Sequence, residues 1–124
     1  SNPDVTIDGL MKKYDEILCR IEEAIPNIEI YLMAYFPINY EAATEEMKPC
    51  LLIRTNKRIN EANKAVAELA RKHRARYIDI NDPLKDADGN LRADYTIEGM
   101  HIKEEGYRSI FPMFMKYALE PKWK

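Results

Sequence analysis

An α/β fold is what this sequence predicts, and three observations predict it. Helix-period segments alternate with strand-like ones, the strand-like runs are short and the first is almost wholly apolar, and a proline or a turn-rich loop follows each run. The order is helix, strand, helix, strand, helix. Right-handed crossovers then make the strands parallel, in a partial three-layer α/β/α sandwich.

Leu10, Tyr14, Ile17, Leu18, Ile21 and Ile25 follow the i, i+3, i+4, i+7 spacing of an amphipathic helix. Thr6 or Asp8 can cap its start, and Pro26 ends it. Cys19 falls at a core-facing position and reads as a small apolar residue. In "IEIYLMAYFP", Ile30 to Phe36 reads as a strand buried on both faces, closed by Pro37. Residues 38–55 form a polar connection with a helical turn near Glu45.

"TNKRINEANKAVAELARKH" is the second helix, with Ile59, Ala62, Val66, Leu69 and Ala70 as its apolar stripe. Lys and Arg crowd its last turn, where the helix dipole favours cations; His73 reads as a solvated cap on that dipole. "ARYIDI" is the second strand, and "NDPLKDADGNL" a loop whose tightest turn is Asp88-Gly89. "EEGYRSIFPMFMKYAL" is the third helix, disturbed at Pro112, which lacks an amide hydrogen. The aromatics Tyr31, Tyr35, Phe111, Phe114 and Tyr117 read as core or interface, and Trp123 as a tail residue.

The 124 residues are enough for one domain, residues 1–124, with a single core. A net charge of -2 leaves no electrostatic footprint for nucleic acid or an anionic membrane surface. No apolar run approaches the roughly 20 residues of a membrane-spanning helix. No spacing implies a cofactor or metal: Cys19 and Cys50 match no metal pattern, and one His beside carboxylates falls short of a zinc set.

Chemistry is expected on the loop from Asp79 to His101, because open parallel sheets gather functional groups beyond the carboxyl ends of their strands. Glu98 stands three residues before His101 with Gly99 between them. A carboxylate on so tight a turn can bend back onto the imidazole Nδ1–H, which fixes the tautomer and leaves Nε2 as a general base. On spacing alone, such a pair is also a common surface ion pair.

"LRADYTIEGMHIKEEGY" resembles the last block of the SGNH/GDSL hydrolases, a family of esterases, lipases and acylhydrolases. The matching residues are Asp88-Gly89, Leu91, Tyr95-Thr96, Gly99, His101, Ile102 and Gly106-Tyr107. The preceding "NKAVAELARKHRARYIDI" is similar to the family's penultimate helix and last strand. The resemblance implies a flavodoxin-like sheet lacking its first strands, so that residues 1–124 are the carboxy-terminal part of such a hydrolase. It implies His101 as catalytic base, and Glu98 where the family has an orienting Asp, with Asp94 a substitute carboxylate. It also implies an ester substrate in the intact enzyme.

The family's nucleophilic serine and its oxyanion motifs have no counterpart here. The only serines are Ser1 and Ser109, and Ser109 lies inside the last helix without a strand–turn–helix elbow. Asn2-Pro3-Asp4 only faintly resembles the family's Asn block, since no Gly precedes it. The expectation is a fragment carrying the His and the acid, inactive or nearly so alone, whose strand 28–36 has lost its neighbour. That edge should be covered by the missing N-terminal half or, in a homo-oligomer, by a second copy. The alternative is a non-enzymatic interaction module that dimerises through the same exposed edge.

Overall fold

Thr6 starts the first helix by accepting the Gly9 amide at 2.9 Å through its hydroxyl, satisfying one of the donors that an α-helix leaves open at its amino end. The computed structural model describes residues 5–120, so Ser1, the Asn2-Pro3-Asp4 segment and Trp123 lie outside the described residues. Helix α1 (Ile7–Ala24) is followed by strand β1 (Tyr31–Met33), α2 (Lys48–Ile53) and α3 (Asn56–Lys72). Strand β2 (Arg76–Ile78), two single-turn 3₁₀ segments (Asp82–Leu84 and Ala93–Tyr95) and α4 (Glu104–Leu119) complete the order.

β1 and β2 pair in parallel, with Tyr31 opposite Arg76, Leu32 opposite Tyr77 and Met33 opposite Ile78. Side chains alternate faces along a strand, so this register sorts the core into layers. On the Leu32/Tyr77 face, Leu18 of α1 packs with Val66, Leu69 and Ala70 of α3. On the Ile78 face, Ile110, Met113 and Tyr117 of α4 pack with Ile80, Leu84 and Leu91. Helices therefore cover both faces, and the architecture is the partial α/β/α sandwich expected. All five residues of the expected α3 stripe are buried.

Several local expectations are corrected. β1 is not buried on both faces: Leu32 and Ala34 are buried but Tyr31 and Met33 are each 37% exposed, because α4 packs over β2 and leaves β1 uncovered on that side. The helical turn expected near Glu45 is present, the Met47 and Lys48 amides both donating to the Thr44 carbonyl at 3.0 Å, and it leads into α2, with Pro49 in its first turn, where a missing amide costs nothing. Cys19 is exposed rather than core-facing. It follows Leu18, the buried residue of α1, and one step turns the side chain about 100° around the helix. Leu10, Ile17 and Ile25 also lie outside the buried stripe. Finally, the His73 side chain is only 6% exposed, held between carboxylates of α1 rather than solvated. α4 continues through Pro112 from Glu104 to Leu119, with that proline on its exposed side.

Beyond β1 the chain leaves the ladder after Ala34, whose amide donates to the Ile78 carbonyl at 2.8 Å, and side-chain amides take over its backbone bonding. Asn63 accepts the Tyr35 amide at 2.7 Å and donates to the Tyr35 carbonyl at 3.1 Å. Asn56 repeats this on Ile38, accepting and donating at 2.8 Å each. Buried backbone groups need partners, and here α3 supplies them from its buried face.

Candidate active site

The loop after β2 is built by short-range bonding. The Asp86 carboxylate accepts the Asp88 and Asn90 amides, and Gly89 takes the positive φ that closes the turn at the expected place. A bridge between Lys85 and Leu91 and a second between Thr96 and Ile102 draw the chain into two successive loops. The second holds Glu98, Gly99 and His101.

Gly99 sits at φ +102°, which L side chains rarely adopt, and a Cβ there would lie 2.6 Å from the Asn39 carbonyl oxygen and 2.7 Å from the Ala43 methyl. Its own carbonyl accepts the Asn39 amide at 2.8 Å, and its amide donates to the Thr96 hydroxyl at 2.9 Å. Asn39 is itself buried, donating to the Leu91 carbonyl at 2.8 Å and accepting the Ala42 amide at 2.9 Å. The segment after β1 thus clamps the loop after β2. Gly106 makes the same kind of close approach at the start of α4, where a Cβ would meet the Ile102 side chain at 2.5 Å.

Within this frame Glu98 Oε2 lies 2.9 Å from His101 Nδ1. Its other oxygen accepts the Met100 amide at 2.9 Å and the His101 amide. Burial opposes ionisation of Glu98, but the bonds from the His101 amide and imidazole and the Met100 amide outweigh it and hold the carboxyl below its ordinary range. The expected pair is therefore in contact. The imidazole is 76% exposed, and among the described residues no group is bonded to Nε2. With Nδ1 facing a carboxylate, the ring is disposed to accept a proton at Nε2.

Asp94, the substitute carboxylate, is taken: both its oxygens accept from Arg92, at 3.1 and 2.7 Å, and that guanidinium stacks over Tyr95. The Ser109 hydroxyl donates to the Gly106 carbonyl at 2.6 Å within α4. Sequence reasoning missed Asn39, Ala43 and Thr44, the last through an amide that donates to the Glu98 carbonyl at 3.4 Å; all three hold the loop from more than fifty residues away. The one local signal was an Asn two residues beyond the proline that closes an apolar run.

Parallel strands between helices, with an ordered carboxylate–imidazole pair beyond their carboxyl ends, define the class as an open-sheet α/β protein. The chain belongs to the GDSL-like lipase/acylhydrolase family, whose model matches residues 2–109. Among solved structures it is similar to a provisionally assigned platelet activating factor from Streptococcus pneumonia, at 28% identity and a TM-score of 0.80 over 92% of this chain and 52% of that one. It also shares its fold with a provisionally assigned acylhydrolase from Bacteroides fragilis NCTC 9343, at 17% identity and a TM-score of 0.69 over 90% and 51% of the two chains. The chain spans about half the length of these structures. No curated protein sequence matches it. Among the described residues no helix is long and apolar enough to cross a membrane.

Proposed function

We propose that residues 1–124 form the carboxy-terminal part of a carboxylic ester hydrolase, with His101 as its general base and Glu98 as the acid that orients it. In the intact enzyme Nε2 takes the proton of a serine hydroxyl as that oxygen attacks the ester carbonyl. It then returns the proton to the departing alkoxide, and water repeats the cycle on the acyl-enzyme. Glu98 stays ionised and stabilises the imidazolium. Its extra methylene relative to Asp suits this site, since one oxygen can cap two loop amides while the other reaches Nδ1. The serine and the oxyanion donors belong, in this reading, to a segment outside these residues.

The observation that carries the proposal is the 2.9 Å Glu98–His101 contact on a backbone-clamped loop, with Nε2 turned outward. Its test is p-nitrophenyl acetate hydrolysis. The 124-residue chain and its His101→Ala variant should be equally slow. In a longer protein that includes the serine, the same substitution should lower kcat by at least about 10⁴-fold. A His101-dependent rate in the 124-residue chain alone would sink the half-site reading.

The uncovered face of β1, carrying Tyr31 and Met33, favours a second reading in which this chain is an interaction module that self-associates there. Sedimentation separates the two: a stable monomer at low concentration counts against self-association.

A further inference from the structure

We propose that Asp15, Cys19 and His73 form a binding site for a zinc-like divalent cation at the end of the sheet opposite His101. Asp15 and Cys19 lie one turn apart on α1, and His73 is the C-cap residue of α3. α1 runs into β1 and α3 into β2, so the cluster sits at the amino ends of the strands. One carboxylate oxygen, the thiol sulfur and one imidazole nitrogen all lie within 4.8 Å of one another. Tetrahedral zinc with bonds of about 2.0–2.3 Å holds its ligand atoms roughly 3.5 Å apart, so small side-chain rotations close the set. Cys19 and Asp15 have room to make them, since one is exposed and the other partly so.

Two surrounding groups support the assignment. Glu22, the next residue on the same face of α1, bonds His73 Nδ1, which leaves Nε2 on the side of Asp15. A carboxylate on the far nitrogen is how metal-binding histidines are usually oriented. Lys72 donates to Asp15 Oδ2 at 3.1 Å and leaves Oδ1, the oxygen facing His73, as the ligand. The charges also close. Aspartate and thiolate neutralise a divalent ion, and the outer Glu22 and Lys72 neutralise each other. Binding releases the Cys19 thiol proton and, from an imidazolium, the Nε2 proton, with no change of oxidation state. Three protein donors leave a fourth position for water.

Cobalt(II) titration of the 124-residue chain tests this. The expected result is a thiolate-to-cobalt charge-transfer band that saturates at one equivalent and is displaced by zinc. Cys19→Ser, at an exposed position that leaves folding intact, should abolish the band, and Cys50→Ser should preserve it. Glu22→Gln should weaken zinc binding by about 10–100-fold while keeping the band, the signature of a positioning group. Absence of the band, or a band that survives Cys19→Ser or vanishes with Cys50→Ser, would overturn the assignment.

Discussion

The two histidines share one contact and differ in everything else. In each, a glutamate carboxylate holds Nδ1: Glu98 for His101 and Glu22 for His73. His101 is 76% exposed and turns Nε2 outward, whereas His73 is 6% exposed and meets Asp15 with Nε2. The glutamate contact therefore orients an imidazole without deciding its use. What faces the second nitrogen decides that. An open Nε2 can exchange protons with a substrate, and an enclosed one ties two helices together or holds an ion.

The support behind each histidine differs as well. His101 rides on a loop held by backbone bonds and by close packing around Gly99, while His73 caps the regular helix α3 and packs against α1. Substitutions behind the loop should accordingly have the largest effects. Leu91 is fully buried, and its carbonyl anchors Asn39, so Leu91→Ala should lower unfolding free energy by about 3–4 kcal/mol in urea denaturation and loosen the His101 loop. Gly99→Ala should cost about 2–3 kcal/mol through backbone strain and overlap with the Asn39 carbonyl. Gly89→Ala, also at positive φ but with nothing within 4 Å of the added methyl, should cost about 1 kcal/mol. Equal costs at the two glycines would refute the clamping of the His101 loop by the segment after β1.

The His73 side should show itself in pH dependence. Burial pulls the His73 pKa down, but hydrogen bonds to Asp15 and Glu22 outweigh it and leave the pKa above the ordinary 6.5. A raised folded-state value means that the folded chain binds the proton more tightly. The stabilisation is complete below about pH 6.5 and is lost as pH rises through the folded value. With a chelator present, thermal midpoints should fall across this range and flatten in His73→Gln. A midpoint that rises over the same range would contradict the ionic clamp.

The smallest effect belongs to the Glu98 charge. Its pKa is depressed below the ordinary 4.5, so its contribution is present above that value and lost as pH falls through the lower folded one. Glu98→Gln should cost under about 1 kcal/mol, since the amide oxygen can still cap the Met100 and His101 amides and the imidazole partner is 76% exposed. Nitrogen NMR should nevertheless show the His101 ring changing from a dominant Nδ1–H form to a mixture of tautomers. A ring unchanged by the substitution would mean that Glu98 does not orient it.

The sequence by itself determined the order of the three long helices and two strands, the α3 stripe, the span of α4, the turn at Gly89 and the Glu98–His101 pair. Each rests on residues a few positions apart, where helical period, turn chemistry and side-chain reach act without help from the rest of the chain. Tertiary structure decided which face of β1 is covered, because that depends on where α4 lies over the sheet. It also decided that Asn39 and Ala43 clamp Gly99, and that Asn56 and Asn63 complete the backbone bonding beyond β1. It brought His73 onto Asp15, Glu22 and Cys19, more than fifty residues back along the chain. Local periodicity cannot see that contact, because it exists only once α1 and α3 pack side by side.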